Sequence, residues 1–223
     1  TPRKLLFIHG LSQQGRSSEE IKQEWSNALK KGVSQAGLSS LEIDTLQVPF
    51  YGDELDRISN EFNLPLASEI NARGNDIQDK FLAFQEKVAH DLAEQAGITT
   101  QQIDHEYGDN PRPRGPQNWE WVQAIIRAID RNFESISSDF LEVFLRDVFI
   151  YTNSRLAQRN IDAIVRSKMS SEPTVIVAHS LGTVVAYNIL KDSPDFDVPL
   201  FVTLGSPLGI RAIRSRFRPI KFP

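Results

Sequence analysis

Four short apolar runs lie near the two ends of the chain: Leu5 to Ile8, Leu41 to Val48, Thr174 to Ala178, and Leu200 to Leu204. Each is rich in Val, Ile, Leu or Phe and only four to eight residues long. Runs of that length and composition are the pattern of parallel strands covered on both faces. A helix fits between the first two. Ser17 and Glu20 form an S-x-x-E capping box, Ile21, Trp25, Ala28 and Leu29 recur at helical spacing, and Gly32 or Gly37 can end it. A second helix follows Leu181, with Val184, Val185, Ile189 and Leu190 on its stripe and Pro194 just beyond. Strand, helix, strand, twice over, predicts an α/β fold with right-handed crossovers and a parallel sheet.

The stretch from Gly52 to Ser171 breaks that alternation and reads as helices. Ile77, Phe81, Phe84, Val88 and Leu92 form one stripe, with Asn75 and Gln78 as its cap and Gly97 as its stop. Val122, Ile125, Ile126, Ile129 and Phe133 form a second. Phe140, Leu141, Phe144, Leu145 and Val148 form a third, continued after a break by Leu156, Ile161, Ile164 and Val165. The prolines and glycines of Tyr107 to Pro116 forbid regular structure there. The expected organisation is therefore a core of residues 1–51 and 172–223 with a helical cap, 52–171, inserted into it. The aromatics of that insertion (Trp119, Trp121, Phe133, Phe140, Phe144, Phe149, Tyr151) read as its own core in preference to a lipid-binding surface. Asp147 falls between stripe positions and reads as a solvated or salt-paired carboxylate.

Composition removes several function classes. At 223 residues the chain fits one domain, or one domain with a large insertion. It has no cysteine, which excludes disulfides, thiolate chemistry and cysteine-ligated metal. Twenty-five basic residues against twenty-nine acidic ones give a net charge of −4. The five cations Arg211, Arg214, Arg216, Arg218 and Lys221 cluster at the end and read as a solvated surface, so the body is more acidic still. A net acidic body is unsuited to nucleic acid, which needs a basic face. The apolar runs fall far short of the roughly 20 residues of a membrane span. With no leader visible, a cytoplasmic address is expected. Four scattered histidines, no P-loop and no G-x-G-x-x-G after a strand predict neither metal nor cofactor.

The chemistry concentrates where strands end. Ala178-His179-Ser180-Leu181-Gly182 follows one apolar run and opens a helix. A serine on so sharp a turn is strained, its hydroxyl stands clear of the sheet, and its neighbours two before and two after must be small. Ala178 and Gly182 meet that requirement. The N–H of Leu181, at the helix start, is then aimed where an oxyanion would form. The plainer reading is a serine that caps the helix. Phe7-Ile8-His9-Gly10-Leu11 ends the first run, with Gly10 allowing a tight turn, His9 packed beneath it, and the N–H of Leu11 a second candidate donor. Thr203-Leu204-Gly205-Ser206-Pro207-Leu208-Gly209 closes the last run.

Together FIHGL (7–11), AHSLG (178–182) and TLGSPLG (203–209) resemble the α/β-hydrolase superfamily, its lipase- and esterase-like branch most closely. The resemblance covers residues 1–50 and 172–210 and implies an α/β-hydrolase core. It implies Ser180 as nucleophile, Leu11 and Leu181 as oxyanion-hole residues, and His9, Gly10, Ala178, His179 and Gly182 as the supporting turns. The substrate it implies is a small acyl ester, lipid favoured, with thioester or amide possible on the same chemistry.

The family order continues from serine to an acid and then a histidine. After Ser180 the acids are Asp192, Asp195 and Asp197, all before the next strand, and no histidine follows His179. The resemblance therefore implies that the C-terminal strands, acid and histidine are missing from these 223 residues, and that residues 1–223 alone turn over very slowly. His9, His179, His90 and His105 are each poor substitutes for the base. The alternative is a noncatalytic relative serving as a binding or scaffolding module.

Overall fold

A computed structural model describes residues 4–38, 43, 45–62, 64, 76–109, 114–115, 118–132 and 137–217. Asn75, Phe133, Arg218, Lys221, residues 110–113 and 116 of the proline-rich stretch and part of the Leu41 to Val48 run lie outside them. The fold is α/β. Strands β1 (Lys4–Ile8), β2 (Thr45–Gln47), β3 (Thr174–His179) and β4 (Leu200–Leu204) form an all-parallel sheet in the order β2-β1-β3-β4.

The contacts divide the chain into two compact units. The first comprises 1–58, 154–208 and 221–223, the second 59–153 and 209–220. Among the described residues the cuts fall at 58/59, 153/154 and 208/209, whereas the break in alternation sets the insertion at 52–171. One cut passes through helix α2 (Gly52–Phe62), and α7 (Arg155–Arg166) goes with the sheet because it packs on α8 (Leu181–Lys191).

In the first unit, alternation along the strands sends side chains to two faces. Leu5, Phe7, Val175 and Val177 meet Ile21, Trp25 and Leu29 of α1 (Ser18–Gln35). Leu6, Ile8, Ile176 and Ala178 are buried on the opposite face, where α8 lies against β1 and β3. Ser17 caps α1 through the full capping box with Glu20, and the helix passes Gly32 to stop before Gly37, whose φ is +70°.

One expectation fails here. Leu200 to Leu204 is not covered on both faces: Leu200 and Leu204 are 52% and 46% exposed, and among the described residues β4 is an edge strand. Beside it, over the α1 face, runs an apolar groove of about 570 Å³ lined by Phe7, Trp25, Val177, His179, Leu200 and Leu204 among others.

The second unit is helical: α3 (Asp76–Gln95), α4 (Thr100–Tyr107), α5 (Trp119–Asn132), α6 (Ser138–Asn153) and the short α9 (Arg211–Arg214). Its core joins Phe81, Phe84 and Val88 to Ile125, Ile129, Leu145 and Phe149, with the Phe81 and Phe149 rings 5.0 Å apart. Trp121, Phe144, Phe149 and Tyr151 are buried in it, whereas Phe140 is exposed. Asp147 is salt-paired rather than solvated. It is buried, with Arg146 Nε and Ser59 Oγ each 3.3 Å from its Oδ1. Among the described residues no helix is long and apolar enough to cross a membrane.

Candidate functional site

The parallel register places the ends of β1, β3 and β4 side by side, so the three segments singled out in the sequence share one sheet edge. Ser180 sits between β3 and α8 with φ 50° and ψ −124°. A non-glycine residue in that left-handed region is strained, at a cost of order 1–3 kcal/mol. An ordinary helix cap has extended backbone and a side chain bonded to the first turn; Ser180 has neither. The helix-capping reading of this serine therefore fails on geometry.

Close packing against β1 explains the small residues. A Cβ added to Gly182 would lie 2.4 Å from the carbonyl oxygens of both Ile8 and His9, and one added to Gly10 would lie 2.9 Å from Ser180 Cβ. Ala178 is fully buried. The Leu181 N–H occupies the first position of α8, where the carbonyl four residues back belongs to β3 and not to the helix. Leu11, one residue past Gly10, is buried, and its N–H has no hydrogen-bond partner among the described residues. Ser180 itself remains 8% exposed.

His9 braces the β1 turn. Its Nδ1 lies 2.7 Å from the Gly10 carbonyl, and its Nε2 accepts the Tyr51 N–H at 3.1 Å. A carbonyl can only accept and an N–H can only donate, so the proton is on Nδ1 and the ring is neutral. The Tyr51 hydroxyl donates back to the His9 carbonyl, and the two rings stack at 4.0 Å. Burial, aided by the Arg16 charge and opposed by the Gly10 bond, lowers the His9 pKa from 6.5 to about 4. With both nitrogens engaged, His9 cannot take a proton from Ser180.

The other histidines are placed as follows. The exposed His179 ring turns into the apolar groove, 6.3 Å from Trp25 and edge-on to it. His90 and His105 belong to the second unit and are exposed on α3 and α4. Asp197 holds the opposite end of β3 from Ser180, its carbonyl accepting the Thr174 N–H at 2.9 Å, and Asp192 ends α8. The acids after Ser180 therefore stand away from it.

Two hydroxyls that sequence reasoning did not assign belong to the site. Thr183 Oγ1 donates to the Ser180 carbonyl at 2.7 Å and lies 2.8 Å from Ser206 Oγ, in the turn after β4. The spacing of Thr183, three residues after the serine, was the available signal. Among the described residues no cluster of three His, Asp or Glu side chains could hold a metal ion.

Comparison of the chain with protein-family models, with curated proteins and with solved structures returns no match.

Proposed function

We propose that this protein is a serine hydrolase of the α/β-hydrolase type that cleaves an acyl ester through an acyl-enzyme on Ser180. One observation carries the reading: a strained, uncapped serine at a strand-to-helix turn, with φ 50° and ψ −124°, packed against the glycine turn of the neighbouring strand. The strain is not offset by a side-chain cap bond, and stored strain of this kind gathers at reactive residues.

In the proposed reaction Ser180 Oγ attacks the substrate carbonyl and its proton passes to a base. The Leu11 and Leu181 N–H groups receive the negative oxygen, each worth on the order of 3 kcal/mol in the transition state. The partial positive charge at the start of α8 adds to them. The base hands that proton to the alkoxide as its bond to the carbonyl carbon breaks, and water, giving its proton to the base, then releases the acid and restores the Ser180 hydroxyl. His9 is a brace in this scheme, and the base and its orienting acid are not assigned to any of the described residues. In chain order the helical residues take the place of a cap insertion. A lipid-like or other hydrophobic ester remains the favoured substrate class, and a cytoplasmic address accords with the absence of cysteine.

A second reading, a hydrolase-like binding module, draws on the engagement of both His9 nitrogens and on the remote position of Asp192 and Asp197. A fluorophosphonate probe separates the two. Applied to the protein expressed from its complete gene, it is expected to add one adduct by intact mass, mapped to Ser180 and absent from Ser180→Ala. An unlabelled wild type, or an adduct that survives in Ser180→Ala, would leave the binding module standing.

A further inference from the structure

Resting on that reading of Ser180, we propose that Thr183 and Ser206 are positioning residues that aim and strengthen the Leu181 N–H as an oxyanion donor. They do so by gripping the carbonyl end of the same peptide group.

Three hydrogen bonds run in line from the turn after β4 to the serine. The Leu208 N–H donates to Ser206 Oγ at 3.3 Å, Ser206 and Thr183 hydroxyls meet at 2.8 Å, and Thr183 Oγ1 donates to the Ser180 carbonyl at 2.7 Å. The ends set the direction of the whole row. Leu208 N–H can only donate and the Ser180 carbonyl can only accept, so the Ser206 proton points to Thr183 and the Thr183 proton to Ser180 O. The Thr183 N–H adds a further bond to that oxygen at 3.0 Å.

The Ser180 carbonyl and the Leu181 N–H are opposite ends of one planar trans peptide. Fixing the oxygen therefore fixes the direction of the N–H. Hydrogen bonds accepted at the oxygen also polarise the amide and make its N–H a better donor, and successive bonds in a row reinforce one another. A regular helix start would not need this. At ordinary caps the backbone is extended, but the backbone of Ser180 is turned to φ 50°, so its carbonyl direction has to be held by added groups. Thr183 is fully buried, which keeps water from competing for that carbonyl. The end of β4 holds the other side of the serine too, with the Ser180 N–H on the Leu204 carbonyl at 2.9 Å.

The test compares Thr183→Val, which keeps shape and removes the hydroxyl, with Thr183→Ser, which keeps the hydroxyl, and with Ser206→Ala. Each is made in the protein expressed from its complete gene. The second-order rate of labelling by a fluorophosphonate is expected to fall about tenfold in Thr183→Val, less than the loss of a whole oxyanion donor. It should fall a few-fold in Ser206→Ala and stay within about twofold of wild type in Thr183→Ser. The Leu181 amide proton, followed by NMR, should move upfield in Thr183→Val as its polarisation is lost. This readout requires no turnover, and a merely structural threonine would not move it alone.

Labelling of Thr183→Val at the wild-type rate, or an equal loss in Thr183→Ser, would overturn the inference while leaving Ser180 as nucleophile. A wild type that takes no probe at all overturns both. Should Thr183→Val fail to fold, Ser206→Ala, at a half-buried position, decides by the same two readouts.

Discussion

His9 braces the turn after β1 through both of its ring nitrogens. Its neutral ring joins the β1 turn to Tyr51, and burial holds its pKa at about 4 instead of 6.5. Between those values the unfolded chain binds a proton that the folded chain refuses. The contribution of His9 to stability is therefore complete above about pH 6.5 and is lost as the pH falls from there toward 4, a span worth about 3 kcal/mol. Urea midpoints measured from pH 7.5 to 4 should show that slope, and His9→Gln, which cannot titrate, should remove it. Glycine positions make a second prediction at this scale. Gly182→Ala forces a Cβ to within 2.4 Å of two carbonyl oxygens and should cost about 3 kcal/mol or more. Gly32→Ala, inside α1 with open space around it, should stabilise by about 0.5–1 kcal/mol. Thermal unfolding of the pair checks both signs.

At the scale of elements, two serines stand before two helices and do opposite things. Ser17 has extended backbone and closes a capping box, so Ser17→Ala should cost about 1 kcal/mol. Ser180 has left-handed backbone and no cap bond, so Ser180→Ala should change stability by no more than about 0.5 kcal/mol while ending probe labelling. Equal losses in the two variants would return Ser180 to the role of a helix cap. Much of this level was legible beforehand. β1, β3, α1 and α8 announce themselves through apolar periodicity and, for α1, a capping box. α4 carries a similar box, Thr99 with Gln102, but is only eight residues long and has no long apolar stripe to mark it. β4 misled for a physical reason: apolar content marks a strand but does not say whether a helix covers its face, and here Leu200 and Leu204 border an open groove.

For the molecule as a whole, the division into units was less legible than its elements. The stripe of α7 (Ala157, Ile161, Val165) fits any apolar surface, so nothing in its sequence says that it packs on α8 and belongs with the sheet. The segment after Gly209 likewise joins the helical unit through contacts distant in sequence. Arg211 pairs with Asp91, which also accepts the Ala212 N–H at 2.7 Å. The site was legible as far as the motifs reached. Ser180, Gly10 and Gly182 come together as their spacing implied, whereas the hydroxyl row through Thr183 and Ser206 needs the register of β3 against β4 to exist at all. The most direct test of the account is the crystal structure of the fluorophosphonate adduct of the protein expressed from its complete gene. The account predicts phosphorus on Ser180 Oγ, with the phosphoryl oxygen about 3 Å from the nitrogens of both Leu11 and Leu181. A phosphoryl oxygen turned to solvent with both amides unbonded, or phosphorus on another residue, would contradict it.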